Sequence, residues 1–125
     1  MGIVDLHHVA INVTDLERSI AFYTDVLGFA LLPREGIAVP GAWLDVGSGR
    51  QIHLVGGTVP DDVGQHVAFV VDDLDTTVAE LTAAGLTVKG PVVIGPRRQA
   101  FLFDPDGNRL EINEDLPAPP PDSSV

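Results

Sequence analysis

The sequence predicts an α+β fold, built from two βαβββ modules in a pseudo-twofold arrangement that form a cupped mixed sheet around a metal cleft. Three observations predict it. HVAINVTDLERSIAFYTDVL, starting at His8, aligns with HVAFVVDDLDTTVAELTAAG, starting at His66, an offset of 58 positions. The same offset aligns AWLDVGSGRQIHLV, starting at Ala42, with AFLFDPDGNRLEIN, starting at Ala100, so two separate stretches report one duplication. Each copy also opens on period-two alternation and then switches to helical spacing, the signature of a strand followed by a helix.

In the first strand Val9, Ile11 and Val13 alternate with His8, Ala10 and Asn12. A helix follows, with Thr14 and Glu17 as a capping box, Leu16, Ile20, Tyr23 and Leu27 as its apolar stripe, and Gly28 as its stop. Strand-like runs then cover 29–33, 42–46 and 51–55, the last two joined by Gly47-Ser48-Gly49. In the second copy Val67, Phe69 and Val71 oppose His66, Ala68 and Val70. Asp72 is the expected helix cap, Leu74, Val78 and Leu81 the stripe, and Gly85 the stop. Strands are expected at 87–94, 100–103 and 108–113, with Pro105-Asp106-Gly107 as the final turn. The organisation is thus a first module over 1–55, a linker over 56–65, a second module over 66–114 and a proline-rich, disordered tail over 115–125. LPAPPPDSSV is too rich in proline and small polar residues to pack.

The 125 residues allow one compact domain or two half-sized modules sharing a core. With 18 acidic against 7 basic side chains, the formal charge of −11 repels nucleic acid and anionic membrane surfaces. Small molecules, cations and protein are the expected partners. There is no cysteine, which excludes disulfides, thiolate nucleophiles and Cys-ligated metals, so a bound metal must use His and carboxylates. MGIVDLHHVA lacks a basic, apolar leader and no stretch approaches a membrane span, so a soluble, cytoplasmic protein is expected.

Hairpin register collects the polar groups. Across the Gly47-Ser48-Gly49 turn, Val46 opposes Arg50, Asp45 opposes Gln51 and Trp43 opposes His53; by equivalence Phe101 opposes Glu111. Alternation sends Ile52, Leu54, Leu110 and Ile112 toward the helices, and His53 and Glu111 to the opposite face, which His8 and His66 also share. A lone strand histidine is usually a satisfied polar residue. Three histidines and a carboxylate at repeat-related positions are instead arranged as metal ligands: His8, His53, His66 and Glu111. His7 falls to the helix side or the rim and reads as structural.

HHVAINVTDLERSIAFYTDVLGF followed by LFDPDGNRLEI resembles the vicinal oxygen chelate superfamily, over about residues 5–114. That superfamily comprises glyoxalase I, fosfomycin thiol transferases, methylmalonyl-CoA epimerase, extradiol dioxygenases and bleomycin resistance proteins. In it the first strand of each module supplies a histidine, matching His8 and His66, and the last strand of the second supplies a glutamate, matching Glu111. Where glyoxalase and epimerase members carry Glu or Gln, this chain carries His53, so the fourth ligand departs from the pattern.

Such a ligand set suits one divalent ion, Zn, Ni, Co, Fe or Mn, that chelates neighbouring substrate oxygens and stabilises the charge left when an α-proton leaves. The expected activity is a glyoxalase-type lyase or isomerase. By resemblance to glyoxalase I, Glu111 is the candidate base, and His53 either completes the ligand set or returns the proton. If His53 does not ligate, His8, His66 and Glu111 form a facial triad of the kind used by Fe(II) extradiol-type dioxygenases. Fosfomycin inactivation is disfavoured, because Ala10 stands where those enzymes have threonine and no arginine follows Glu111. A non-catalytic, drug-sequestering protein of the bleomycin-resistance kind is the main non-enzyme reading. Trp43, Phe101 and Phe103 are candidate cleft walls, Arg97 or Arg98 a candidate anion attractor, and Asp45, Gln51, Arg109 and Asn113 candidate orienting groups. Exposed sheet edges lead us to expect a homodimer.

Overall fold

A computed structural model describes residues 1–117; of the tail expected over 115–125, residues 118–125 lie outside the described residues. Its elements run β1 (His8–Val13), α1 (Leu16–Ala21) continued by a π-helical turn (Phe22–Val26), β2 (Ala30–Leu32), β3 (Gly41–Asp45), β4 (Gln51–Gly56), β5 (Val67–Val70), α2 (Leu74–Ala83), β6 (Lys89–Ile94), β7 (Arg97–Phe103) and β8 (Arg109–Asp115). They form two four-stranded sheets, ordered β1-β4-β3-β2 and β5-β8-β7-β6. The architecture is therefore α+β, with two repeated βαβββ modules. Strand β8 reaches Asp115, and the Leu116 amide donates to the Pro96 carbonyl at 2.8 Å, so order continues just past the expected end of the second module.

By compactness the described chain divides into one unit of Met1–Val67 with Phe103–Leu110, and another of Ala68–Leu102 with the residues from Glu111 onward. In the first unit β1 runs parallel to β4, and β3 is antiparallel to both β4 and β2. The register matches the turn-based expectation: Asp45 pairs with Gln51, and Trp43 with His53. One face of this sheet carries Ile11, Val13, Ala42, Leu44, Ile52 and Leu54, all buried. Truncating Leu44 to alanine is expected to cost about 2–5 kcal/mol, read by urea denaturation, because the side chain is fully buried and its loss leaves a cavity.

The caps each fall one residue later than expected. Asp15, not Thr14, caps α1 by accepting from the Arg18 amide at 3.1 Å; Asp73, not Asp72, caps α2 by accepting from the Thr76 amide at 3.0 Å. Both aspartates hold the extended backbone that a cap needs. Thr14 is engaged elsewhere, since its hydroxyl donates to Asp106 and its amide reaches the same carboxylate at 3.1 Å. The expected stripe on α1 also shifts. Leu27 N–H bonds to the Phe22 carbonyl five residues back, so a π turn rotates the helix and the most buried positions become Ser19, Phe22 and Tyr23.

The turn residues 104–107 are locked to α1 within the first unit. Asp104, 5% exposed, accepts from Tyr23 Oη at 2.8 Å, from the Asp106 and Asn108 amides at 2.9 Å each, and from Asn108 Nδ2 at 2.8 Å. Asp106 accepts from Thr14 and from Arg18 Nη2 at 2.9 Å. Burial pushes the Asp106 carboxyl upward, but the Thr14 hydrogen bonds, the Arg18 charge and Ser19 outweigh it and hold it below the ordinary carboxylate range. A lowered native value stabilises the fold above the unfolded value, near pH 4, and that contribution disappears as pH falls through the native value. Asp106→Asn is accordingly expected to lower Tm at pH 7, with the gap to the wild type closing toward pH 3; a gap independent of pH contradicts this assignment.

Candidate metal centre

The second face of the β1-β4-β3 sheet carries the polar set. Paired residues place Ala10, His53 and Trp43 in one row, and His8, Gln51 and Asp45 in the next. Ala10 has no bulk beyond Cβ, so the space beside His53 is taken by a diagonal neighbour. The His8 and His53 rings stack at 3.8 Å between centroids with planes 10° apart. Trp43 stacks on the same imidazole at 5.1 Å and 22°.

His7 joins this cluster, contrary to its reading as a rim residue. Its Nδ1 lies 2.9 Å from His8 Nδ1, and its ring packs edge-on against His8 at 5.1 Å. Strand β1 begins at His8, so alternation places no constraint on His7. One ligand atom each from His7, His8 and His53 lie within 4.8 Å of one another, and among the described residues this is the group of three or more metal-competent side chains with that mutual reach. Imidazole nitrogens are the donor type that a borderline divalent ion prefers.

The ring nitrogens are oriented from outside. His53 Nε2 faces Gln51 Oε1 at 2.8 Å; an amide oxygen only accepts, so Nε2 carries the proton and Nδ1 the lone pair. The His53 imidazolium is disfavoured, first by burial and then by the charges of His8, His7 and Arg34. His53 is therefore kept as the neutral ring that a metal requires. His66 stands outside the three-imidazole group. Its Nδ1 lies 2.8 Å from the Gly64 carbonyl oxygen, so Nδ1 donates and Nε2 bears the lone pair in the neutral ring. A cavity of about 300 Å³ in the first unit is lined by His66, Asn108, Arg109 and β1 residues, but by neither His8 nor His53. In the second unit Glu111 is 7% exposed, and its Oε2 accepts from Asn113 Nδ2 at 2.8 Å.

Of the expected orienting groups, Gln51 and Asn113 hold candidate ligands. Asp45 instead caps its own turn through the Gly47 amide at 2.6 Å, and Arg109 pairs with Asp62 at 2.8 Å. Arg97 and Arg98 lie within β7 and face carboxylates of their own, Asp115 at 3.4 Å and Asp75 at 2.8 Å. Arg34 was not expected at the site. Its Cζ lies 5.8 Å from the Trp43 ring centroid, at the far end of the Trp43, His53 and His8 stack. No local pattern marks it, since it precedes the loop that leads into β3.

A small α+β protein of two repeated modules, with a cluster of oriented imidazoles on a sheet face, is a frame for binding a metal or a small ligand. The chain belongs to the Glyoxalase/Bleomycin resistance protein/Dioxygenase superfamily, whose profile matches residues 5–112. It is 32% identical to the Escherichia coli protein YaeR over 91% of this chain and 98% of that one. It is 35% identical to a lactoylglutathione lyase of Haemophilus influenzae over 86% of this chain and 90% of the relative. Among solved structures, TnmS3, an antibiotic binding protein from Streptomyces sp. CB03234, aligns with a TM-score of 0.79 at 30% identity, covering 92% of this chain and 98% of that one. Among the described residues no helix is long and apolar enough to cross a membrane.

Proposed function

We propose that this chain is a metal-dependent lyase or isomerase of the glyoxalase type, acting as a cytoplasmic homodimer on a small substrate with neighbouring oxygens. The observation that carries the reading is the stacked His8 and His53 pair, each with a defined neighbour and both on one sheet face. The proposed ligands of one divalent ion, Zn, Ni, Co, Fe or Mn, are His8, His53, His66 and Glu111. The oriented His53 and His66 imidazoles and the Glu111 carboxylate held by Asn113 support that set. When bound, the ion supplies Lewis-acid stabilisation of the charge that develops on a substrate oxygen, a contribution of several kcal/mol.

In the proposed reaction Glu111 accepts the proton from the carbon beside the substrate carbonyl, and the electron pair of the broken C–H bond moves toward the carbonyl oxygen. Return of the proton to the former carbonyl carbon, by Glu111 or His53, together with passage of the hydroxyl proton from its own oxygen to the former carbonyl oxygen, completes an isomerisation that neither gains nor loses atoms or electrons. Asn113 orients the Glu111 carboxylate by donating to its Oε2. The test joins elemental analysis of purified protein to turnover of a hemithioacetal made from a thiol and a 2-oxoaldehyde, under anaerobic conditions. Near-stoichiometric metal with turnover, both lost in Glu111→Ala, is the expected result; unchanged metal content in Glu111→Ala overturns the ligand set.

The 30% identity to an antibiotic binding protein, together with the aromatic stack at Trp43, favours a second reading of binding without turnover. Absence of turnover with tight binding of a cationic glycopeptide selects it. Oxygen uptake with catechols under ferrous iron selects the dioxygenase reading instead.

A further inference from the structure

We propose that Arg34 is an anion-recognition group of this site and takes a carboxylate carried by the small-molecule substrate. The proposal rests on the functional reading above for the word substrate, but not for the binding itself. The chain has six arginines and 18 acidic residues. Five of the arginines have a carboxylate of their own: Arg18 has Asp106, Arg50 has Asp5, Arg97 has Asp115, Arg98 has Asp75 and Arg109 has Asp62. Among the described residues, Arg34 alone of the six has none. In a chain this acidic, a guanidinium without a carboxylate partner is being held away from the ones available.

What holds it is visible. The guanidinium lies toward the Trp43 ring, with Cζ 5.8 Å from the centroid. It also rests on the sheet backbone where Gly41 leaves room: a Cβ there would sit 2.9 Å from Arg34 Nη2 and 3.1 Å from Cζ. Its Nε is buried with no acceptor, so the protein anchors the group by stacking and leaves the charge unneutralised. Gly41, Trp43 and His53 share one sheet face, which puts the planar cation at the end of the column that begins with His8. A fixed, planar donor suits a carboxylate, which it can meet with two parallel hydrogen bonds.

Trp43 is the single tryptophan, and its fluorescence reports directly on this spot. The experiment titrates metal-stripped protein with 3-(methylthio)propanoate and with its neutral isostere 3-(methylthio)propanamide. Without metal, a carboxylate cannot bind through the ion and mimic the signal, and the Arg34 variants separate binding by Arg34 from binding at the imidazoles. Expected is saturable change with the acid, at least tenfold weaker response to the amide, and loss of that preference in Arg34→Gln. Arg34→Lys, which keeps the charge but not the planar fork, should lose part of the preference, and it serves if Arg34→Gln does not fold. Equal binding of acid and amide, no binding of either, or a preference that survives in a folded Arg34 variant overturns the proposal. Metal content of the same variants, read in parallel, is expected to match the wild type; loss of metal with the acid preference intact would instead count against the metal reading.

Discussion

Replacing His53 by alanine is expected to weaken divalent-metal binding by at least about 100-fold, since losing only a supporting neighbour of a ligand costs 10- to 100-fold. His53 supplies a neutral lone-pair nitrogen, and Trp43 and His8 hold its ring from both sides. His8→Ala should match it. His7→Ala, which removes a ring packed against His8 but outside the proposed set, should cost less; Gln51→Ala, which frees the His53 ring to rotate, should fall between. Equilibrium dialysis against Zn or Ni checks the series. Because the His53 side chain is only half-buried, Tm of the metal-free variants should move little.

Asp104→Ala is expected to cost about 3 kcal/mol or more of stability, because four buried or half-buried donors lose their acceptor at once. Tyr23→Phe removes one of those bonds and should cost about 1–2 kcal/mol. The Tyr23 phenol is itself pushed far above its usual range, by burial first and then by the charge and hydrogen bond of Asp104, so it stays a donor at every working pH. Urea unfolding of both variants measures the ordering. Tyr23→Phe costing as much as Asp104→Ala would show that Asp104 is not the hub.

The duplication was legible because identical residues recur at one offset in two separated stretches, and a duplicated segment must build a duplicated module. The pairing of Trp43 with His53 was legible because a three-residue glycine turn and period-two alternation leave one register. The caps were less so. Threonine and aspartate adjacent in sequence both offer an acceptor, and the choice fell to Asp15 because Thr14 is drawn to Asp106, a contact 92 residues away in sequence. The position of His7 is not legible, because it precedes β1 and the alternation of that strand does not reach it. Arg34 escaped because its position depends on the absence of a side chain at Gly41, across the sheet rather than nearby in the chain.

The most direct test is a crystal structure of protein loaded with Zn or Ni, with the ion located by its anomalous scattering. The account predicts a peak within about 2.0–2.1 Å of a nitrogen of both His8 and His53, completed by the imidazole of His66 and a carboxylate oxygen of Glu111. A peak bonded to neither His8 nor His53, or none at full loading, would contradict it.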